Sequence, residues 1–253
     1  MSETTEIKFN SVDELDRDAA DALVRFVMCF ADTKHMMGRR LSEWVTAAPA
    51  MEAAVAAANL TQEELGHARS LFAMIRDLPG APAELNTETD LSRTEYFSPS
   101  FLEHSFARWT DVIATLFLLD HALTTVIKTA SESSLKPLKQ RVAKILQEEQ
   151  FHRMFADGWA MRLAHENAAM KEFFQKSLSR SWGAAEAWFG PESDQAFAPL
   201  VENGILAKFP AQCADDWRQS VRKTLLQNGL EQPTLTIDWQ NWQSERREIV
   251  TAE

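Results

Sequence analysis

Two short segments place a histidine three residues after a glutamate: Glu64-Leu-Gly-His67 and, 85 residues later (149 − 64), Glu149-Gln-Phe-His152. On a helix these positions share one face, about one turn apart, so one carboxylate and one imidazole can grip the same ion. Around Glu64 the same face carries Ala57, Leu60, Ala68 and Leu71; around Glu149 it carries Val142, Ile145, Leu146 and Ala156. Both acids therefore sit in apolar stripes. A carboxylate turned into a core is costly unless it is paired or bound to metal. A single Glu-x-x-His pair arises by chance in helical proteins; a repeat on two long apolar stripes is a much stronger signal. The preceding acids, Glu63 and Glu148, are expected about 100° away and solvated.

A third acid is embedded in the same way. Asp120 in TLFLLDHALTTVI has Ile113, Leu116, Phe117, Leu123 and Ile127 on its face. The plain alternative is a buried aspartate bonded to a hydroxyl such as Thr124. The first long stripe, Val27, Phe30, Met37 and Leu41, offers no acid, since Asp32 and Glu43 lie on other faces; its inward polar residue is Lys34. The alternative there is a side chain snorkelling to the bundle end. His35 and His121 adjoin inward positions but point aside, and Tyr96 on a connection is given no role. Trp182, Trp188, Phe189, Trp239 and Trp242 either line a substrate mouth or pack on the bundle. Packing is favoured, because large aromatics dominate cores.

The punctuation of the chain sets these residues on separate helices. Ser11-Val-Asp-Glu14 reads as a capping box, opening a helix that runs to about Trp44. Ala47-Ala-Pro49 breaks it. Further helices are expected over about 50–78, 99–129 with a break near Ala107, 135–164, 167–188 and 211–227. A polar connection over 79–97 contains Asn86, Thr87 and Asp90, Gly190-Pro191 opens a loop, and the tail after Gly229 is irregular. No period-2 alternation marks a strand. Two long helix pairs joined by a longer connection predict an all-α four-helix bundle with additional C-terminal helices. The reading is one domain, with a core over about 11–165 and an extension over about 166–253.

Composition narrows the function. A net charge of −11 argues against nucleic acid as a partner. Cys29 and Cys213 form neither a CxxC pair nor a disulfide framework, which suits a reducing cytoplasm. The polar start MSETTEIKFN lacks a signal core, and no uninterrupted apolar run of about 18 residues suggests a membrane span. No Gly-rich nucleotide fingerprint or Cys cluster is present, so electrons for redox chemistry would come from a separate reductase.

At these residues the chain resembles the phenylacetic-acid-catabolism type of ferritin-like di-iron protein, which includes subunits of phenylacetyl-CoA epoxidase. The resemblance runs from SEWVTAAP (42–49) through EELGH, LLDHA and EEQFH to SRSWGAAEAWFGP (179–191) and IDWQNW (237–242), with 29 residues between Asp120 and Glu149. It implies that Glu64 and Glu149 bridge two irons, that His67 binds the first, and that Asp120 with His152 binds the second. The substrate implied is an aromatic or related acyl-CoA thioester. The reaction implied takes dioxygen, places one oxygen atom in the ring as an epoxide and releases the other as water. A homodimer or a hetero-oligomer with a homologous subunit is expected, in the cytoplasm.

The departure is on the first helix, where the family's remaining glutamate ligand is replaced by Lys34. Three carboxylates balance the charge of one divalent ion and one ammonium, so one ion is expected, with Lys34 salt-bridging to Glu64 or Glu149 in the space of the other. A deprotonated lysine could instead ligate, leaving room for two. The same ligand set suits iron or manganese. The rival reading is a non-catalytic partner subunit in which Lys34 marks a decayed site.

Overall fold

The chain is described from a computed structural model covering residues 6–86 and 93–250; Thr87, Asp90 and the polar first residues lie outside this range. It is an all-α, ferritin-like bundle. The four long helices are α1 (Arg17–Ser42), α2 (Met51–Ile75), α3 (Trp109–Ala130) and α4 (Lys136–Glu166). Helix α5 (Ala168–Ala187) packs along α3 and α4, the short α6 (Ala198–Glu202) lies against α1, and α7 (Ala214–Gln227) packs on α3.

The expected opening of the first helix is corrected. The Ser11 hydroxyl caps only a 3-10 turn, Val12–Glu14, and Leu15 is extended. Asp16 is the true cap: its carboxylate accepts from the Ala19 amide at 2.8 Å. An aspartate at this position meets both the orphan amides and the positive end of the helix, and so outcompetes the weaker serine box earlier in the chain. The break near Ala107 is present: a 3-10 turn, Ser100–Glu103, ends before it, and the helix resumes only at Trp109.

Helix α3 is the axis of the molecule. Residues 112–120 are all buried, so the helix is enclosed on every side. By length and composition alone it could cross a membrane, but here its apolar window is 78% buried by the surrounding helices. Across Leu116–Asp120 the backbone widens into a π turn. Such single-turn insertions change the phase of the helix and concentrate at functional sites. The Trp217 indole, from α7, donates to the Leu118 carbonyl inside this turn at 3.0 Å. The C-terminal extension thus satisfies backbone in the segment that ends on Asp120.

The tail after Gly229 contains a short antiparallel ladder, Trp242–Gln243 with Glu248–Ile249, where the sequence predicts no strand. Two residues per strand leave too little alternation to be seen in sequence.

Candidate metal centre

Helices α2 and α4 run antiparallel, and their Glu-x-x-His faces meet. Glu64, Asp120, Glu149 and His152 each present a ligand atom within 4.8 Å of one another, all buried. Lys34 stands among them. Its ammonium donates to Glu149 Oε1 at 2.6 Å, to Glu64 Oε1 at 3.3 Å, and to Asp120. The side chain has 0% exposure, so the snorkelling alternative does not hold. Gly38, one turn on from Lys34, makes this approach possible. A Cβ there would lie 3.2 Å from Glu64 Cβ and 3.0 Å from Leu65 Cγ, so the missing side chain lets α1 reach α2.

The imidazoles are held in a crossed pattern. His67 Nε2 lies 2.8 Å from Glu148 of α4, and His152 Nε2 lies 2.8 Å from Glu63 of α2. Glu63 and Glu148 are therefore not the solvated acids expected from sequence. They are only 20% and 24% exposed, and each orients the histidine of the opposite helix. The missed signal is their spacing: each lies four residues before a histidine, on the histidine's side of the helix.

With Nε2 occupied, both Nδ1 atoms are left buried and without a hydrogen-bond partner, as is Glu64 Oε2. His152 Nδ1 is 3.3 Å from Glu64, 3.4 Å from Asp120 and 3.6 Å from Glu149; His67 Nδ1 is 3.4 Å from Glu149. A carboxylate on one ring nitrogen, with the other nitrogen turned toward the carboxylate cluster, is the arrangement that orients a histidine toward a metal once that nitrogen gives up its proton. The donor set, carboxylate oxygens with imidazole nitrogens, suits iron or manganese. His67 stands outside the tight group of four. The fourth wall is Thr124, whose hydroxyl lies 2.7 Å from Glu149 Oε2 and 2.9 Å from its own helix's Asp120 carbonyl.

The electrostatics are those of a charge-dense, buried site. Burial opposes charge on Lys34, but Asp120, Glu149 and Glu64 outweigh it and hold the ammonium well above its ordinary pKa. Burial likewise opposes charge on His152, yet Asp120, Glu64 and Glu149 push it up to about 12. Burial would raise Glu149, but Lys34 and the two histidines hold it well below the usual carboxylate range. Burial raises Glu64, against the pull of Lys34. Any ion entering must therefore displace a proton from His152, and uptake should weaken as pH falls.

Neither His35 nor His121 reaches the cluster. His35 stacks on Tyr96 at 5.5 Å, and His121 bonds Ser220 at 3.0 Å. Burial, then the Arg153 charge, depresses His121 to about 3. Between pH 6.5 and 3 the unfolded chain takes a proton there that the folded chain refuses. Stability should thus fall with pH, by up to about 1.4 kcal/mol per unit from this group. Urea midpoints at pH 7 and pH 5 are expected to converge in His121→Gln, which removes the titration. Trp182, Trp188 and Phe189 are fully buried in the packing of the extension, while Trp239 is 37% exposed.

The family model for "Phenylacetic acid catabolic protein" matches residues 3–249. Among curated proteins, a subunit of the 1,2-phenylacetyl-CoA epoxidase of Escherichia coli (strain K12) is 24% identical over 215 residues, covering 85% of this chain and 84% of that protein.

Proposed function

Because the chain belongs to the phenylacetic acid catabolic protein family, we propose that it is an oxygenase subunit related to those of phenylacetyl-CoA epoxidase, with a metal-competent centre altered by Lys34. The observation that carries this reading is the pair of unpartnered Nδ1 atoms beside three buried carboxylates, each imidazole already anchored through Nε2. A site that had merely decayed would be under no pressure to keep both anchors.

One divalent ion would be held by Asp120, Glu149 and His152, with Glu64 in reach, while Lys34 keeps the charge of a missing second ion. When bound, the ion supplies activation of dioxygen, for oxidation of an acyl-CoA-type substrate with electrons from a separate reductase. The chain's own residues do the rest. Glu63 and Glu148 fix the imidazole tautomers, Thr124 fixes a Glu149 oxygen, and Lys34 neutralises the carboxylates that the ion leaves unbalanced. Lys34 also touches the ligands directly, so it is placed to move a proton at Glu149 or Asp120.

The measurement is metal content of the purified chain by emission spectroscopy, with oxygen consumption in the presence of a reductase and candidate thioesters. About one iron or manganese per chain is expected. Two tightly bound ions would sink the idea that Lys34 stands in for one of them. A second reading, a non-catalytic subunit, is favoured by one observation: Lys34 bridges all three carboxylates and can hold the bundle closed with no ion. A metal-free chain that copurifies with a homologous subunit would select it.

A further inference from the structure

A cavity of about 150 Å³ lies between the first half of α1 and the C-terminal hairpin, and none of its lining residues belongs to the metal centre. Val24 and Met28, one turn apart on α1, form one wall. Phe97 from the connection forms the second, and Ala196 with Phe197 the third. The hairpin turn at Ser244 and Glu245 closes the remaining side. Val24, Met28 and Phe197 are buried, whereas Arg25, Ser244 and Glu245 are exposed. The interior is therefore apolar, and the polar groups stand at its mouth.

The walls are tied in place. Arg246 Nε donates to the Ser98 carbonyl at 2.9 Å, next to Phe97. Glu248 accepts from the Ser100 amide at 2.6 Å and from its hydroxyl at 2.7 Å. Between them, Arg247 lies 5.1 Å over the Phe197 ring, and Phe197 meets Phe26 of α1 edge-on at 5.3 Å. These ties hold the hairpin, the connection and α1 at a separation that their side chains do not fill. Well-packed interiors leave few gaps larger than a water molecule, and one of this size forfeits contacts on every wall. A guest that restores those contacts would find the site already shaped.

Size and charge decide the guest. An apolar cavity of about 150 Å³ holds one benzene ring. Phe97 and Phe197 offer aromatic surface and Met28 a polarizable thioether, which favour an aromatic guest over an aliphatic one. Arg25 and Glu245 border the same opening with opposite charges. A carboxylate drawn to Arg25 meets Glu245, and an ammonium drawn to Glu245 meets Arg25. A neutral ring meets neither conflict.

We propose that this cavity is a binding site for one small, neutral, single-ring aromatic molecule, with the ring among Val24, Met28, Phe97 and Phe197 and any substituent at the mouth. The site is separate from the metal centre, and the inference does not rest on the oxygenase reading.

The test is calorimetric titration of the full-length chain with toluene. A Kd of about 1 mM or tighter is expected, within what a ligand of this size can supply. Benzoate, benzylamine and phenylalanine should each bind at least about tenfold more weakly, because each carries charge toward apolar walls. Ala196→Leu fills the cavity, and Ser244→Trp, an exposed substitution that spares the fold, covers its mouth. Both should lose toluene binding, and Ser244→Trp decides the matter if Ala196→Leu does not fold. In crystals soaked with bromobenzene, the anomalous bromine peak should fall within the cavity, beside Met28 and Phe197. A peak only elsewhere, toluene binding that survives Ser244→Trp together with any folded Ala196→Leu, or a charged analogue that binds as tightly as toluene overturns the proposal.

Discussion

Lys34→Met, prepared free of metal, is expected to unfold at lower urea than the unsubstituted chain, with a loss of about 3–5 kcal/mol, the usual cost of leaving buried charges uncompensated. Methionine fills nearly the same volume, so the loss reports charge and hydrogen bonding rather than a cavity. Without the ammonium, Glu64, Asp120 and Glu149 share one buried pocket, and among the described residues His152 is the one cation left in contact with all three. Part of the deficit would be met by protonation, so the variant should regain stability below about pH 5 relative to pH 7, as carboxylates take up protons. Added Mn(II) or Fe(II) should restore more. An ion at a hundredfold excess over its Kd stabilises by about 2.7 kcal/mol. In Lys34→Glu a fourth carboxylate replaces the ammonium, and the bound metal should rise from about one to about two ions per chain. A Lys34→Met chain as stable as the original at pH 7 would mean that the three acids are neutral or hydrated without it, and the charge argument would fail.

The parts of this centre that can be read from sequence are those a single helix determines. Glu64, Asp120 and Glu149 announce themselves because each acid interrupts an apolar stripe, and Lys34 because its stripe lacks one. Periodicity says which side of a helix faces the core. It does not give the register between helices, and that register pairs His67 with Glu148 and His152 with Glu63. The same limit hides the reach of the ammonium. Sequence predicts salt bridging to Glu64 or Glu149, but Asp120 on α3 is also within its grasp. The π turn over Leu116–Asp120 has no local signature. LFLLD is ordinary helix-forming sequence, and the widened turn is held by an indole from α7, nearly a hundred residues later. Family resemblance supplies the metal and the reaction; physical pattern supplies the three acids and the odd lysine.

Arg247 is the second residue whose loss should be large, and nothing near it in sequence suggests so. Its side chain is completely buried in the C-terminal strap. The guanidinium donates to the carbonyls of Trp188 and Phe189 and to the Asp194 carboxylate, and it lies 5.1–5.2 Å over the rings of Trp188, Phe197 and Trp242. Gly190, at φ 75°, completes the pocket: a Cβ there would fall 2.7 Å from the guanidinium. Arg247→Met keeps the stem but strands one buried carboxylate and two carbonyls, so about 3–5 kcal/mol should be lost. For a chain of this length that corresponds to a fall in Tm of roughly 10 °C. The consequence should reach the metal centre, because Trp188 donates to Thr33 Oγ1 at 3.3 Å, the residue just before Lys34. A strap that releases Trp188 loosens the turn of α1 that delivers the ammonium. In Arg247→Met, hydrogen exchange of the α1 amides around Thr33 and Lys34 should therefore quicken more than that of α4 around Glu149. Equal acceleration in both helices would mean that Arg247 stabilises the molecule globally and has no particular hold on the centre.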